Sequence, residues 1–251
     1  MPRTPLIAGN WKMHTTIDEA TQLAQAIVAG AKNRTDRQVM LAPPFTALAA
    51  VSHALQGSGI NLGAQNICWE PKGAFTGEIS PLMLLDLGVT MAIVGHSERR
   101  HVFGETDALI NKRVTGAMAH GIIPVLCIGE QLSEREADLT MTTLEGQLRG
   151  SLQGVTVTDP AKLVIAYEPV WAIGTGKTAS PEQAQEAHAF IRQILAELFQ
   201  KSVASQIRIL YGGSVNSGSI DTLMGQDDID GALVGGAALQ ADSFSRIIHF
   251  Q

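Results

Sequence analysis

Cysteine is scarce in this chain. Only Cys68 and Cys127 occur among 251 residues, which cannot build the dense, even-numbered framework of a disulfide-stabilised secreted domain. A reducing compartment is the expectation. Positive charge is also in short supply, with 18 Lys+Arg against 24 Asp+Glu and a net charge of −6. No run of basic residues forms a stripe, so the composition argues against a nucleic-acid partner. Any anionic ligand must then be held by local groups against an unfavourable overall field. No apolar run is long enough to span a bilayer, and the opening Met1-Pro2-Arg3-Thr4-Pro5 lacks the apolar core of a secretion signal. The expectation is a soluble cytoplasmic protein with no membrane partner. The histidines show no metal-ligand spacing such as His-Glu-x-x-His, so no metal site is expected. Composition shifts, low-complexity tracts and long polar linkers are missing as well, and residues 1–251 read as one domain.

What is present is alternation. Short apolar runs at residues 6–11, 39–42, 60–63, 91–94, 122–128, 163–167, 207–211 and 231–234 have the look of strands. Amphipathic stretches at 16–30, 80–88, 106–121, 133–149, 180–199, 217–224 and 237–250 lie between and after them. Several carry explicit end signals: Thr16-x-x-Glu19 is a capping box, and Ser80-Pro81 and Ser180-Pro181 put an N-cap before a proline at the first helical position. Strict strand–helix alternation implies a parallel sheet, because parallel neighbours need crossovers. Eight units in about 250 residues fit an α/β fold of the closed (β/α)8 barrel type. An open doubly wound sheet would be expected to carry Gly-x-Gly-x-x-Gly after its first strand, and here that strand ends Gly9-Asn10-Trp11-Lys12. In a barrel of this type, function sits at the carboxyl ends of the strands.

The most informative tip is that of the sixth run. Leu163-Val164-Ile165-Ala166-Tyr167 is followed by the carboxylate of Glu168 and then Pro169, which cannot continue a ladder and biases its predecessor toward extended backbone. Residues 170–176, Val-Trp-Ala-Ile-Gly-Thr-Gly, are apolar but fit neither a helical nor a strand period. They read as a hinged cover beside a charged base. A solvated strand-end Glu is the plain alternative. The string Gly174-Thr175-Gly176-Lys177-Thr178 is not a P-loop, because Trp171 stands where the first glycine of that motif belongs.

The other tips supply complementary groups. Extended backbone alternates its side chains, so Asn10 and Lys12 point into the mouth while Trp11 packs outward. A lysine about 4 Å from an oxyanion gains about 4 kcal/mol at an effective dielectric near 20, before its own desolvation is counted. After the fourth run, His96 precedes a possible helix start with Ser97 available as N-cap, and a helix amino end favours a neutral imidazole. Glu98 with Arg99 or Arg100 reads as structural ion pairing. After the seventh and eighth runs, Gly212-Gly213-Ser214 and Gly235-Gly236 let backbone amides approach an anion, at the place where barrels of this kind bind phosphate. Ser214 adds a hydroxyl donor, and Gly174 can add an amide from the cover. The stretch 65–78 is long for a βα loop, and Phe75 at its tip suits docking into a second subunit. Cys127 reads as packing.

Taken together, Asn10-Trp11-Lys12, residues 94–100, Ala166 to Lys177, Tyr211 to Val215 and Val234 to Ala237 closely resemble the triosephosphate isomerase family, and the likeness runs from Leu6 to about Ala238. The resemblance implies a TIM barrel that interconverts dihydroxyacetone phosphate and D-glyceraldehyde 3-phosphate, in glycolysis and gluconeogenesis, without metal or organic cofactor. It implies Glu168 as base, His96 as neutral electrophile and Lys12 as electrostatic partner. Asn10 orients the substrate, Gly174, Ser214, Gly235 and Gly236 grip its phosphate, and residues 170–176 form the lid. It also implies a homodimer in which the loop from Gly73 to Glu78 enters the neighbouring subunit beside Lys12. His14, where many members carry Asn, departs from the pattern and bears on that contact. Two alternatives stay open at this point. One is another phosphosugar barrel enzyme, although a Schiff-base aldolase calls for a lysine inside a strand and Lys12 lies at a tip. The other is a non-catalytic phosphate-binding barrel.

Overall fold

The computed structural model describes residues 3–32, 34–173 and 178–251. Eight parallel strands close into a barrel in chain order: β1 Leu6–Asn10, β2 Gln38–Ala42, β3 Asn61–Ala64, β4 Val89–Val94, β5 Ile123–Ile128, β6 Val164–Tyr167, β7 Arg208–Tyr211 and β8 Gly231–Val234, which pairs back to β1. Between and after them come α1 Ile17–Gly30, α2 Leu48–Ala54, α3 Pro81–Asp86, α4 Ser97–His101, α5 Asp107–Ala119, α6 Leu132–Glu136, α7 Thr140–Ser151, α8 Pro181–Leu198, α9 Lys201–Ala204, α10 Ile220–Met224 and α11 Ala241–Ile248.

The end signals act as the sequence implies. Thr16 and Glu19 satisfy each other's backbone N–H groups at the start of α1, and Ser180 and Gln183 do the same for α8. Ser80 caps α3. The differences have local causes. The stretch 133–149 is two helices, because Asp138 takes φ +57°, a left-handed conformation that Asp tolerates better than most residues. Helix α2 begins without a side-chain cap, so nothing in the sequence announces it. The stretch 237–250 opens as the short 3-10 turn Gly236–Leu239 before α11 begins.

Two apolar layers follow from the two-residue period of the strands. Leu6, Ala8, Met40, Met91, Ile93, Val125, Cys127, Val164, Ala166, Leu210 and Leu233 form one buried cluster inside the barrel. Their neighbours Ile7, Leu41, Val94, Leu126, Ile165, Tyr167, Ile209 and Val234 belong to a larger cluster shared with the helices, as does Trp11. Cys127 is fully buried in the inner layer, and burial pushes its thiol well above its ordinary pKa, so it packs rather than reacts.

One buried titratable group sets a pH dependence. His188 on α8 is fully buried against the rings of Tyr167 and Tyr211, with Nδ1 3.1 Å from the Asp228 carbonyl oxygen. Burial lowers its pKa from 6.5 to about 4. Below pH 6.5 the unfolded chain takes up a proton that the folded chain refuses, so this contribution is complete above 6.5 and is lost as pH falls toward 4. Each pH unit in that window costs about 1.4 kcal/mol, or about 2 kcal/mol between pH 6.5 and 5. Urea denaturation across that interval measures it, and His188→Gln should flatten the slope.

Candidate active site

The inner layer continues beyond the strands into the mouth. The period of Leu6 and Ala8 brings up Asn10, that of Val164 and Ala166 brings up Glu168, that of Leu210 leads to Gly212, and that of Leu233 leads to Gly235. All four line a pocket of about 370 Å³ at the carboxyl ends of the strands, together with Lys12, His96, Ser214 and Gly236. His96 reaches the mouth differently. Gly95 takes φ +69°, which breaks the alternation after Val94, and a Cβ there would press on Ile110 at 3.1 Å.

Glu168 and His96 meet directly. Glu168 Oε1 lies 3.0 Å from His96 Nε2, and its Oε2 accepts the Ser97 backbone N–H at 2.9 Å. Both residues are buried, Glu168 with 2% and His96 with 5% of its surface exposed. Burial raises the carboxyl pKa, but the facing imidazole and the Ser97 amide outweigh it and hold Glu168 below its ordinary value, so this carboxylate is ionised at neutral pH.

His96, not Ser97, caps α4: its Nδ1 accepts the backbone N–H of Glu98 at 3.2 Å. With Nδ1 an acceptor, the ring proton of the neutral form is on Nε2, aimed at Glu168. The expected pull toward neutrality is only part of what this ring experiences. Burial lowers its pKa, and the adjacent Glu168 carboxylate more than reverses that, so in this arrangement the imidazole titrates above its ordinary value.

Lys12 stands just past β1 with φ +51°, a conformation costing a non-glycine residue about 1–2 kcal/mol. Its backbone N–H donates to Asn10 Oδ1 at 3.0 Å, and its Nζ lies 2.7 Å from Glu98 Oε1. Glu98 therefore pairs with Lys12, while Arg99 bonds Glu105 and Arg100 bonds Asp107. This corrects the expected pairing of Glu98 with its arginine neighbours. The ammonium is held at the rim beside an acid, not buried in a strand as a Schiff-base lysine would be.

Glycine is required where the tips crowd these groups. A Cβ on Gly212 would sit 2.9 Å from Glu168 Cγ, and one on Gly129, beyond β5, would fall 1.7 Å from the Glu168 carbonyl oxygen. Gly235 and Gly236 form the opposite wall, where the chain enters the turn Gly236–Leu239. The start of the expected cover is a 3-10 turn, Val170–Ala172. From it Trp171 Nε1 donates to Glu130 Oε1 at 2.8 Å, and Tyr167 donates to the same oxygen at 3.1 Å. Ile173 lines the pocket. Gly174, expected to grip phosphate, and the rest of that cover through residue 176 lie outside the described residues.

The long stretch after β3 is firmly rooted. Arg113 on α5 donates to both carboxylate oxygens of Glu78 at 2.7 and 2.9 Å and to buried Glu105 at 3.0 Å. Phe75 stacks edge-on against Trp69, with centroids 5.5 Å apart, yet stays 37% exposed. Groups that the sequence did not single out are the Ser97 amide, Glu98 as the partner of Lys12, and Glu130. An acidic residue just past the fifth apolar run, after Gly129, is the hint the sequence offers of the last.

A family model described as "Triosephosphate isomerase" matches residues 5–251. Curated relatives with that name cover nearly the whole chain. One from Roseiflexus sp. (strain RS-1) is 56% identical over 248 residues, 99% of this chain and 98% of the relative. One from Chloroflexus aurantiacus is 53% identical over 249 residues, 99% and 100% of the two chains. One from Endomicrobium trichonymphae is 51% identical over 248 residues, 99% of each.

Proposed function

Because this chain belongs to the triosephosphate isomerase family, we propose that Glu168, His96 and Lys12 carry the chemistry of that isomerisation. The chain interconverts dihydroxyacetone phosphate and D-glyceraldehyde 3-phosphate, a step of glycolysis. We read gluconeogenesis as its use in the reverse direction and residues 1–251 as one domain. The observation that carries the assignment of roles is the 3.0 Å meeting of Glu168 and His96 at the mouth, beside Lys12 and the glycine-lined wall.

The substrate must part that pair. Its phosphate docks against Ser214, Gly235 and Gly236, where backbone and hydroxyl donors suit a dianion and no carboxylate among the described lining residues except Glu168 opposes it. Asn10 orients the substrate's oxygens. Glu168 then leaves the Ser97 amide and takes a proton from the carbon beside the carbonyl. Negative charge collects on the carbonyl oxygen, where His96 Nε2–H and the Lys12 ammonium meet it. Once the carboxylate has moved, burial, the Lys12 ammonium and the amino end of α4 favour a neutral ring that donates without losing its own proton outright, against the pull of Glu98 at 3.6 Å. A proton passes from the adjacent hydroxyl to that oxygen, and Glu168 returns its proton to the former carbonyl carbon, giving the aldose. We assign Gly174 to the phosphate and residues 170–176 to a cover that excludes water from the enediolate. A coupled assay on D-glyceraldehyde 3-phosphate tests the reading. Substrate binding without incorporation of solvent deuterium would argue for a phosphate-binding barrel instead.

A homodimer completes the reading. Met13 is 93% exposed, Phe103 67%, Met83 58% and Leu82 51%. These residues sit on neighbouring pieces: Lys12 pairs with Glu98 near the start of α4, Phe103 follows two residues after that helix, and Arg113 ties Glu78 to Glu105. An apolar face of this kind suits a second copy, with the loop from Gly73 to Glu78 entering it beside Lys12 and His14. Met13→Asp leaves the subunit's own core untouched, so it should produce folded monomers in sedimentation equilibrium. Unchanged dimers would remove Met13 from the interface. A cytoplasmic location accords with two free, buried cysteines.

A further inference from the structure

Lys12 holds a left-handed backbone at the place where the strand ladder ends, and something has to keep it there. The β1–β2 pairing runs to Asn10 opposite Ala42, and one further bond joins the Trp11 N–H to the Ala42 carbonyl. Beyond it, the Lys12 carbonyl accepts from a side chain. Gln65, one residue past β3, donates from Nε2 to the Lys12 carbonyl oxygen at 2.7 Å and to the Ala42 carbonyl oxygen at 3.0 Å. One amide group thus joins the tips of three strands after their own ladders have stopped.

We propose that Gln65 is a positioning residue that fixes the Lys12 ammonium in the active site by holding the Lys12 carbonyl. The inference rests on the role given to Lys12 above. From the other side, Asn10 Oδ1 holds the Lys12 N–H at 3.0 Å, so both peptide groups flanking the Lys12 Cα are pinned by side-chain amides. A left-handed residue relaxes toward negative φ unless its surroundings over-determine it. Freeing the carbonyl releases one of the two pins, and the long side chain magnifies a small backbone rotation into a large displacement of Nζ. Among the described residues, no other side chain donates to that carbonyl. A glutamine after a strand has no motif value, which is why the sequence did not single it out.

The test is a double-mutant cycle between Gln65 and Lys12, with kcat and KM measured separately at protein concentrations where the oligomeric state is unchanged. Gln65→Met keeps the shape but removes both donors. It should lower kcat/KM by about 10–100-fold, the scale of an ångström-sized misplacement of a reacting group. In a Lys12→Ala background the same change should cost less than about twofold, because no ammonium is left to misplace. Equal losses in both backgrounds would overturn the inference and leave Gln65 a purely structural residue. Should Gln65→Met fail to fold, Gln65→Asn keeps an amide that is one methylene too short to bridge the two carbonyls, and it should show the same dependence on Lys12. Full activity of Gln65→Asn would also overturn the inference. A Lys12→Ala protein with undiminished activity would overturn both this inference and the role of Lys12 itself, which separates the two failures.

Discussion

Glu168→Gln is expected to lower kcat by about 10²–10⁴-fold, equivalent to about 3–5 kcal/mol of barrier, because a carboxamide cannot accept the substrate proton. The structure adds a second effect that the sequence could not reveal. The carboxylate accepts from both the Ser97 amide and His96 Nε2, and each of its oxygens is occupied. A carboxamide has only one oxygen, so one of those donors must face an N–H group inside a buried site. His96 cannot readily shift its proton to relieve this, since its Nδ1 is already an acceptor for the Glu98 N–H. The variant should therefore also lose about 1–3 kcal/mol of stability. Steady-state kinetics well below the melting temperature, alongside a urea titration, separate the two losses. Phosphate-dependent binding of a substrate analogue should survive. Near-native turnover would end the assignment of Glu168 as the base.

His96→Leu carries the second large effect. Leucine fills similar space without a donor, and loss of a preorganised donor to a developing oxyanion costs about 10²–10³ in kcat, or about 3–4 kcal/mol. The substitution also removes the side-chain acceptor at the amino end of α4, worth about 1 kcal/mol of stability. It further leaves Glu168 without the partner that holds its pKa down, so the carboxyl should move upward. That predicts a shape as well as a size. The residual activity of His96→Leu should fall away at a higher pH on the acid side than the activity of the parent protein, because the base now protonates earlier. A pH profile of kcat/KM measures the displacement. A kcat within a few-fold of the parent's would show that the imidazole does not meet the developing charge.

Much of this site was legible in the chain because strands carry a period of two. Once Val164 and Ala166 are placed inside a barrel, Glu168 follows them into the mouth, and Pro169 marks where the strand must stop. The same rule sends Asn10 inward and Trp11 outward, as observed. His96 was harder. A glycine before it announces a turn, but only the left-handed φ of Gly95 decides that the imidazole faces the pocket. Pairings across the mouth were not legible either. Lys12 with Glu98, and Glu168 with the Ser97 amide, join residues 86 and 71 positions apart. Such contacts depend on where two different tips arrive, which neither periodicity nor local spacing encodes. The clamp at Gln65 escapes for the same reason. The interruption at Asp138 turns on a single backbone angle in a stretch whose composition favours an unbroken helix.

The glycine at position 129 constrains how this protein can change. The Glu168 carbonyl oxygen occupies the space in which a β-carbon at 129 would lie. The Glu168 side chain is therefore located partly by the missing side chain of a residue that is not among those lining the pocket. A library of variants at that position should be nearly all inactive, and the cause would be crowding transmitted along the peptide of the sixth strand tip. Attempts to stiffen the barrel by replacing exchangeable glycines with alanine should begin elsewhere.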